Sequence, residues 1–113
     1  MKIVRKNQTK IVQNNNECIA IEYGLHDKDI NGAIVELKGR YPKRGRTVNE
    51  KCKELAFVMA GQGKLVVENT EFELEAEDLI LINPGERFYW EGNMRIFMPC
   101  TPAWYPQQHK EVK

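Results

Sequence analysis

Apolar residues along this 113-residue chain come in short runs, broken every few positions by Gly, Asn or Pro, and helical periodicity is nearly absent. Such spacing predicts an all-β sandwich or barrel. Strands are expected over 18–23, 33–37, 54–60, 63–68, 70–74, 79–82, 88–91 and 94–100. The clearest hairpin lies within 64–74, with Asn69-Thr70 as its turn because Asn tolerates the left-handed conformation. From 71 to 77 the odd positions are all Glu, alternating with Phe72, Leu74 and Ala76, which predicts one wet face and one packed face. The run Leu79-Ile80-Leu81-Ile82 has no wet face at all. It belongs beneath other structure or at a subunit interface.

Two segments resist the strand pattern. Residues 39–53 form a long, polar, basic connection, the least regular backbone expected in the core. Beyond residue 100, prolines at 102 and 106 exclude a central strand or a helix. Trp104 and Tyr105 are expected to lay this tail, 101–113, across a core barrel of about 18–100, with ligand stacking as the alternative.

Length is consistent with one domain, 1–113. A net charge of +1 gives no argument for nucleic acid or an anionic membrane as partner. Locally, 38–53 is basic and 68–78 acidic; Arg40, Lys43, Arg44 and Arg46 form either a solvated segment or an anion-binding rim. Three widely spaced cysteines, Cys18, Cys52 and Cys100, are accompanied by no zinc-type spacing. The first residues, Met1-Lys-Ile-Val-Arg-Lys, lack an apolar signal region, and no run approaches the roughly 18 apolar residues of a membrane helix. A cytoplasmic protein with reduced thiols is expected. His26 and His109 fall in loop or tail segments.

Between residues 39 and 93 the chain resembles the cupin superfamily of jelly-roll β-barrels. That family's first motif opens on Gly, contains His-x-His, and closes with a Glu and a Gly seven residues later. Glu54 and Gly61 keep the closing spacing, and Gly39 matches the opening Gly with two extra loop residues. Glu77-Asp78 and Asn83-Pro84-Gly85 stand where the second motif carries Gly-Asp and Pro-Pro-Gly. The histidines are missing in every register: Val48 with Glu50, or Thr47 with Asn49, occupy the first pair, and Phe88 or Tyr89 the later position. The resemblance implies a small all-β cupin barrel, paired as a homodimer, with a small-molecule pocket.

Without imidazoles, a transition metal has little to bind it. No cofactor is therefore expected, and a divalent ion on Glu50, Glu54 and Asn49 is the disfavoured alternative. If Glu54 faces inward along an unbroken strand, Glu50 and Cys52 join it. On the facing strand either Phe88 and Trp90, or Tyr89, Glu91, Asn93 and Arg95, line the interior; the second choice gives a buried Glu an Arg partner. The expected ligand-binding set is Glu50, Cys52, Glu54, Tyr89, Trp90 and Arg95, suited to a sugar or small organic acid, unless these groups merely fill the barrel. Catalysis by Glu50 or Glu54 with Tyr89, as an isomerase or lyase, is the alternative. A further one is a regulatory or assembly module with a vestigial pocket. Cys52 is expected to be a packed thiol rather than a nucleophile, since flanking carboxylates oppose its ionisation.

Overall fold

The computed structural model describes residues 1–113. Nine strands form: β1 (Lys10–Asn15), β2 (Cys18–Tyr23), β3 (Asn31–Tyr41), β4 (Arg46–Asn49), β5 (Lys53–Val67), β6 (Thr70–Glu75), β7 (Leu79–Ile82), β8 (Arg87–Thr101) and β9 (His109–Val112). All pair antiparallel, and the sheet curls into a jelly-roll barrel. The long strand β8 is its spine. One edge of β8 pairs with β3 and then, at Thr47↔Phe88, with β4; the other edge pairs with β5. Strands β2 and β1 extend the sheet beyond β3, β7 and β6 pair with successive halves of β5, and β9 closes onto the free edge of β4.

The expected strands are present, 18–23 and 79–82 with the same bounds and the others longer. The pairs 54–60 with 63–68, and 88–91 with 94–100, are each one 15-residue strand. Each continues through a bend where only Gly fits. Gly92 is paired with Gly39 on one side and Gly63 on the other. A Cβ on Gly92, whose φ is +143°, would meet the Cα of Gly63 at 2.5 Å. Strands crossing this closely need a backbone without side chains.

Two local expectations are corrected. The hairpin turn is Glu68-Asn69, since Val67 pairs with Thr70, and Glu68 takes the positive φ of 53°. Segment 39–53 is not one irregular loop: it contains the end of β3 and all of β4, leaving 42–45 and 50–52 between strands. Neither β1, β4 nor β9 was visible as an apolar run, because each is short and polar and is held by its neighbour's backbone.

Alternation along β8 settles which of its faces is inside. Phe88, Trp90, Met94, Ile96, Met98 and Cys100 are buried. The odd positions, which include Glu91, Asn93 and Arg95, face out. Burying that set would take two charges out of water to gain one ion pair, which the apolar set outweighs. Leu37, Val58 and Leu65 complete the core around Phe88 and Trp90.

Candidate functional site

Between the β1–β2–β3 sheet and the incoming C-terminal segment lies a cavity of about 500 Å³. Its walls are mainly apolar, with Val35, Phe88, Trp90, Ile96 and Met98 among them. Polar groups gather in two places: Lys10, Asn14, Glu22 and Asn31 from β1 to β3, and Tyr41, Glu54 and His109 where β4, β5 and β9 meet.

His109 comes from outside the motif region. Strand β9 pairs with β4 so that His109 lies opposite Asn49 and Glu111 opposite Thr47. Paired residues point to the same face, so the imidazole lies against the Thr47 and Asn49 side chains. These are the residues that one register places at the cupin His-x-His positions. The ring missing from β4 is supplied by β9. In the sequence His109 stands alone in a Pro-rich tail; only the alternation of a four-residue polar strand could have pointed to it.

A chain of hydrogen bonds fixes how each group is oriented. The backbone N–H groups of Lys51 and Cys52 donate to Gln108 Oε1 at 3.2 and 3.1 Å, which orients the Gln108 amide. Its Nε2 donates to Asn49 Oδ1 at 3.0 Å, and Asn49 Nδ2 in turn donates to Glu54 Oε1. Because Asn49 Oδ1 accepts, His109 Nδ1, 2.7 Å away, carries the ring proton. His109 Nε2 is then the lone-pair nitrogen, and the Tyr41 hydroxyl donates to it at 2.8 Å. The Thr47 hydroxyl also lies 2.8 Å from Nε2 but donates to the Lys110 carbonyl at 3.0 Å. Its oxygen is therefore free to accept from Nε2 once that nitrogen gains a proton.

Burial acts on all three titratable groups. It raises the Glu54 carboxyl above its ordinary range, opposed by the Asn49 hydrogen bond. Glu54 keeps part of its surface open to the cavity although protein surrounds it. Burial lowers the His109 imidazole and raises the Tyr41 phenol. Each is pushed toward its neutral form. A neutral imidazole with an engaged lone pair, a phenol and a readily protonated carboxyl can donate to, accept from and exchange protons with a bound molecule.

The other expected site residues scatter. Trp90 lines the cavity. Asn49 is buried as the pivot of the hydrogen-bond chain. Glu50 is exposed, because β5 begins only at Lys53 and the expected row Glu50–Cys52–Glu54 is broken. Cys52 is fully buried and its thiol donates to the Pro102 carbonyl at 3.3 Å, outside the cavity wall. Burial raises its pKa, followed in effect by the opposing Cys100 contact. Tyr89 is on the outer face, with the Arg40 guanidinium 3.8 Å and that of Arg46 4.7 Å from its ring centroid. Arg40 also donates to the carbonyls of Pro42 and Gly45, so it braces the 42–45 turn, and neither arginine lines the cavity. Arg95 is on the outer face as well, 3.9 Å from Glu36, and has no part in the pocket.

A histidine-bound metal does not fit this donor set. No three His, Cys, Asp or Glu side chains are grouped to hold an ion. Both ring nitrogens of His109 are engaged, and with Glu50 outside, the Glu50–Glu54–Asn49 arrangement is not assembled.

Barrel topology, glycine bend and barrel-end pocket give the chain a cupin-type jelly-roll fold. Residues 37–91 match the AraC-like ligand binding domain. Among solved structures, Pac13 from Streptomyces, described as a unique nucleoside dehydratase, matches with a TM-score of 0.90 at 18% identity, covering 100% of this chain and 92% of its own. A variant of Pac13 was solved with uridine. KdgF from Halomonas matches with a TM-score of 0.70 at 12% identity, over 90% of this chain and 94% of its own. A double-stranded β-helix protein from Klebsiella pneumoniae matches at 0.72 and 14%, over 91% and 90%. No curated protein matches the chain in sequence.

Proposed function

We propose that the cavity binds a neutral, hydroxyl-bearing ring compound, a sugar or a nucleoside, and that Glu54, His109 and Tyr41 exchange protons with it. The observation carrying this reading is the joined set Glu54–Asn49–His109–Tyr41 at one end of an otherwise apolar cavity. Aromatic and aliphatic walls stack on a ring while a few fixed polar groups orient its hydroxyls. The solution of Pac13 with uridine, on a barrel that matches along the whole of this chain, supports the same ligand class.

Between the two classes expected from the sequence, charge favours the sugar over the organic acid. The cavity lining carries a single permanent cation, Lys10, which lies opposite Glu22 in the β1–β2 register. With Glu54 pushed toward its neutral form, no fixed positive charge stands at that end of the cavity to hold an anionic ligand.

The joined set also favours an enzyme over a vestigial module. In this reading Tyr41 accepts a proton from a ligand hydroxyl or carbon as it passes its own to His109 Nε2. Thr47 Oγ1 accepts from the resulting imidazolium, and the protonated Glu54 donates to the leaving or carbonyl oxygen. This is the proton bookkeeping of a lyase or isomerase. Three buried, unpaired thiols suit a reducing compartment such as the cytoplasm.

Calorimetric titration with uridine, neutral monosaccharides and, as controls, sugar acids tests the ligand class. A neutral ring should bind, and Tyr41→Phe or His109→Gln should weaken it about tenfold, the loss of one good hydrogen bond. Preference for the acids, or full affinity in both variants, would sink the reading.

A further inference from the structure

The outer face of the barrel carries an apolar row that the pocket does not explain. Strand register aligns Ile11, Ile21, Ile34, Phe97, Phe57 and Leu79 side by side across β1, β2, β3, β8, β5 and β7. All six point away from the core, because their neighbours Val12, Ala20, Val35, Ile96, Ala56 and Ile80 point into it. Ile11 is 67% exposed, Leu79 62% and Phe97 42%. Leu55 and Leu81, exposed on the same face and paired with each other, widen the patch. Partly exposed side chains of this size together give on the order of several hundred Å² of contiguous apolar surface. A standard interface takes about 800 Å² from each partner.

We propose that this face pairs with the same face of a second copy of the chain, about a two-fold axis running along the strands between β3 and β8. The row is complementary to itself under that operation. Such an axis sets β3 of one copy over β8 of the other, β2 over β5, and β1 over β7. Ile34 then meets Phe97, Ile21 meets Phe57, and Ile11 meets Leu79, so two isoleucines pack on phenylalanines and the most exposed pair, Ile11 and Leu79, cover each other.

Charge follows the same symmetry. Beside the row, Glu36 on β3 is paired in register with Arg95 on β8, at a loose 3.9 Å within one chain. The two-fold operation brings Glu36 of each copy over Arg95 of the other, twice per dimer. An isologous contact needs this arrangement, a patch whose two halves complement each other. A different protein as partner would need no such symmetry.

The test is the mass in solution by light scattering during gel filtration. The wild-type chain should run as a dimer, and Phe97→Glu as the 13.2 kDa monomer. Two charge variants keep the test sound if Phe97→Glu fails to fold. Glu36→Arg and Arg95→Glu each place like charges across the axis and should each shift toward monomer. Mixed together they should form a heterodimer, because opposite charges then face each other at both contacts. A wild-type chain monomeric at every concentration reached overturns the proposal, as does a dimer indifferent to Phe97→Glu. Charge variants that dimerise as well alone as when mixed would place the interface elsewhere.

Discussion

At Glu54, burial favours the protonated carboxyl, so the folded chain resists losing a proton that the unfolded chain releases freely. The folded pKa lies above the unfolded one. Stability is therefore full below the unfolded value and falls as pH rises toward the folded value. Glu54→Gln removes that dependence while keeping an acceptor for Asn49 Nδ2. Melting curves should show the variant above wild type at neutral pH by a few degrees, the effect of about 1 kcal/mol in a domain of this size. The difference should close as pH falls below the ordinary carboxyl range. A variant melting lower at neutral pH would mean that the charged form is the one the fold holds. Asn49 explains why this residue pair was only half legible in the sequence. Its place beside Glu54 could be read from motif spacing, but its role depends on Gln108 and His109, some sixty residues away.

Among elements, the 3-10 turn of Pro106–Gln108 and the strand β9 do more than their length suggests. Gln108 is 2% exposed and accepts from two backbone N–H groups at the entry to β5. Gln108→Ala strands both donors and frees the Asn49 amide. Each buried orphan costs about 1–3 kcal/mol, so chemical denaturation should show a loss of about 2–4 kcal/mol. A loss below about 0.5 kcal/mol, the range of an ordinary surface change, would mean that Gln108 is not the pivot. Legibility divided along the same line. Strands with a strong apolar signal, such as the continuous run of β7 and both halves of β5 and β8, could be read directly. Strands β1, β4 and β9 could not, since short polar strands take their conformation from the ladder beside them rather than from their own side chains. Arg95 shows the limit of a pairwise argument, since the ion pair it offers a buried Glu does not outweigh the period-two apolar pattern of the whole strand.

Across the whole molecule, the barrel presents two separate kinds of surface. One end opens on a lined cavity; the outer β1–β2–β3–β8–β5–β7 face is an apolar row with a self-complementary charge pair. No helix is long and apolar enough to cross a membrane. If copies pair on this face, folding and association are linked by mass action. The melting temperature of the wild-type chain should then rise with protein concentration, whereas that of Phe97→Glu should not. A concentration-independent transition in both would separate the face from stability. The run 79–82 was legible as a strand lacking a wet side, and its exposed Leu79 and Leu81 now have a stated place in that face.

The position of His109 bears on how such sites are recognised at all. A comparison made column by column would inspect Thr47 and Asn49, find no imidazole, and pronounce the barrel chemically empty. Here the ring arrives sideways, through the alignment of one strand against another. Its identity is stored in register rather than in motif. One residue gained or lost between Gln108 and His109 would leave every familiar signature untouched and still turn the imidazole away from the cavity.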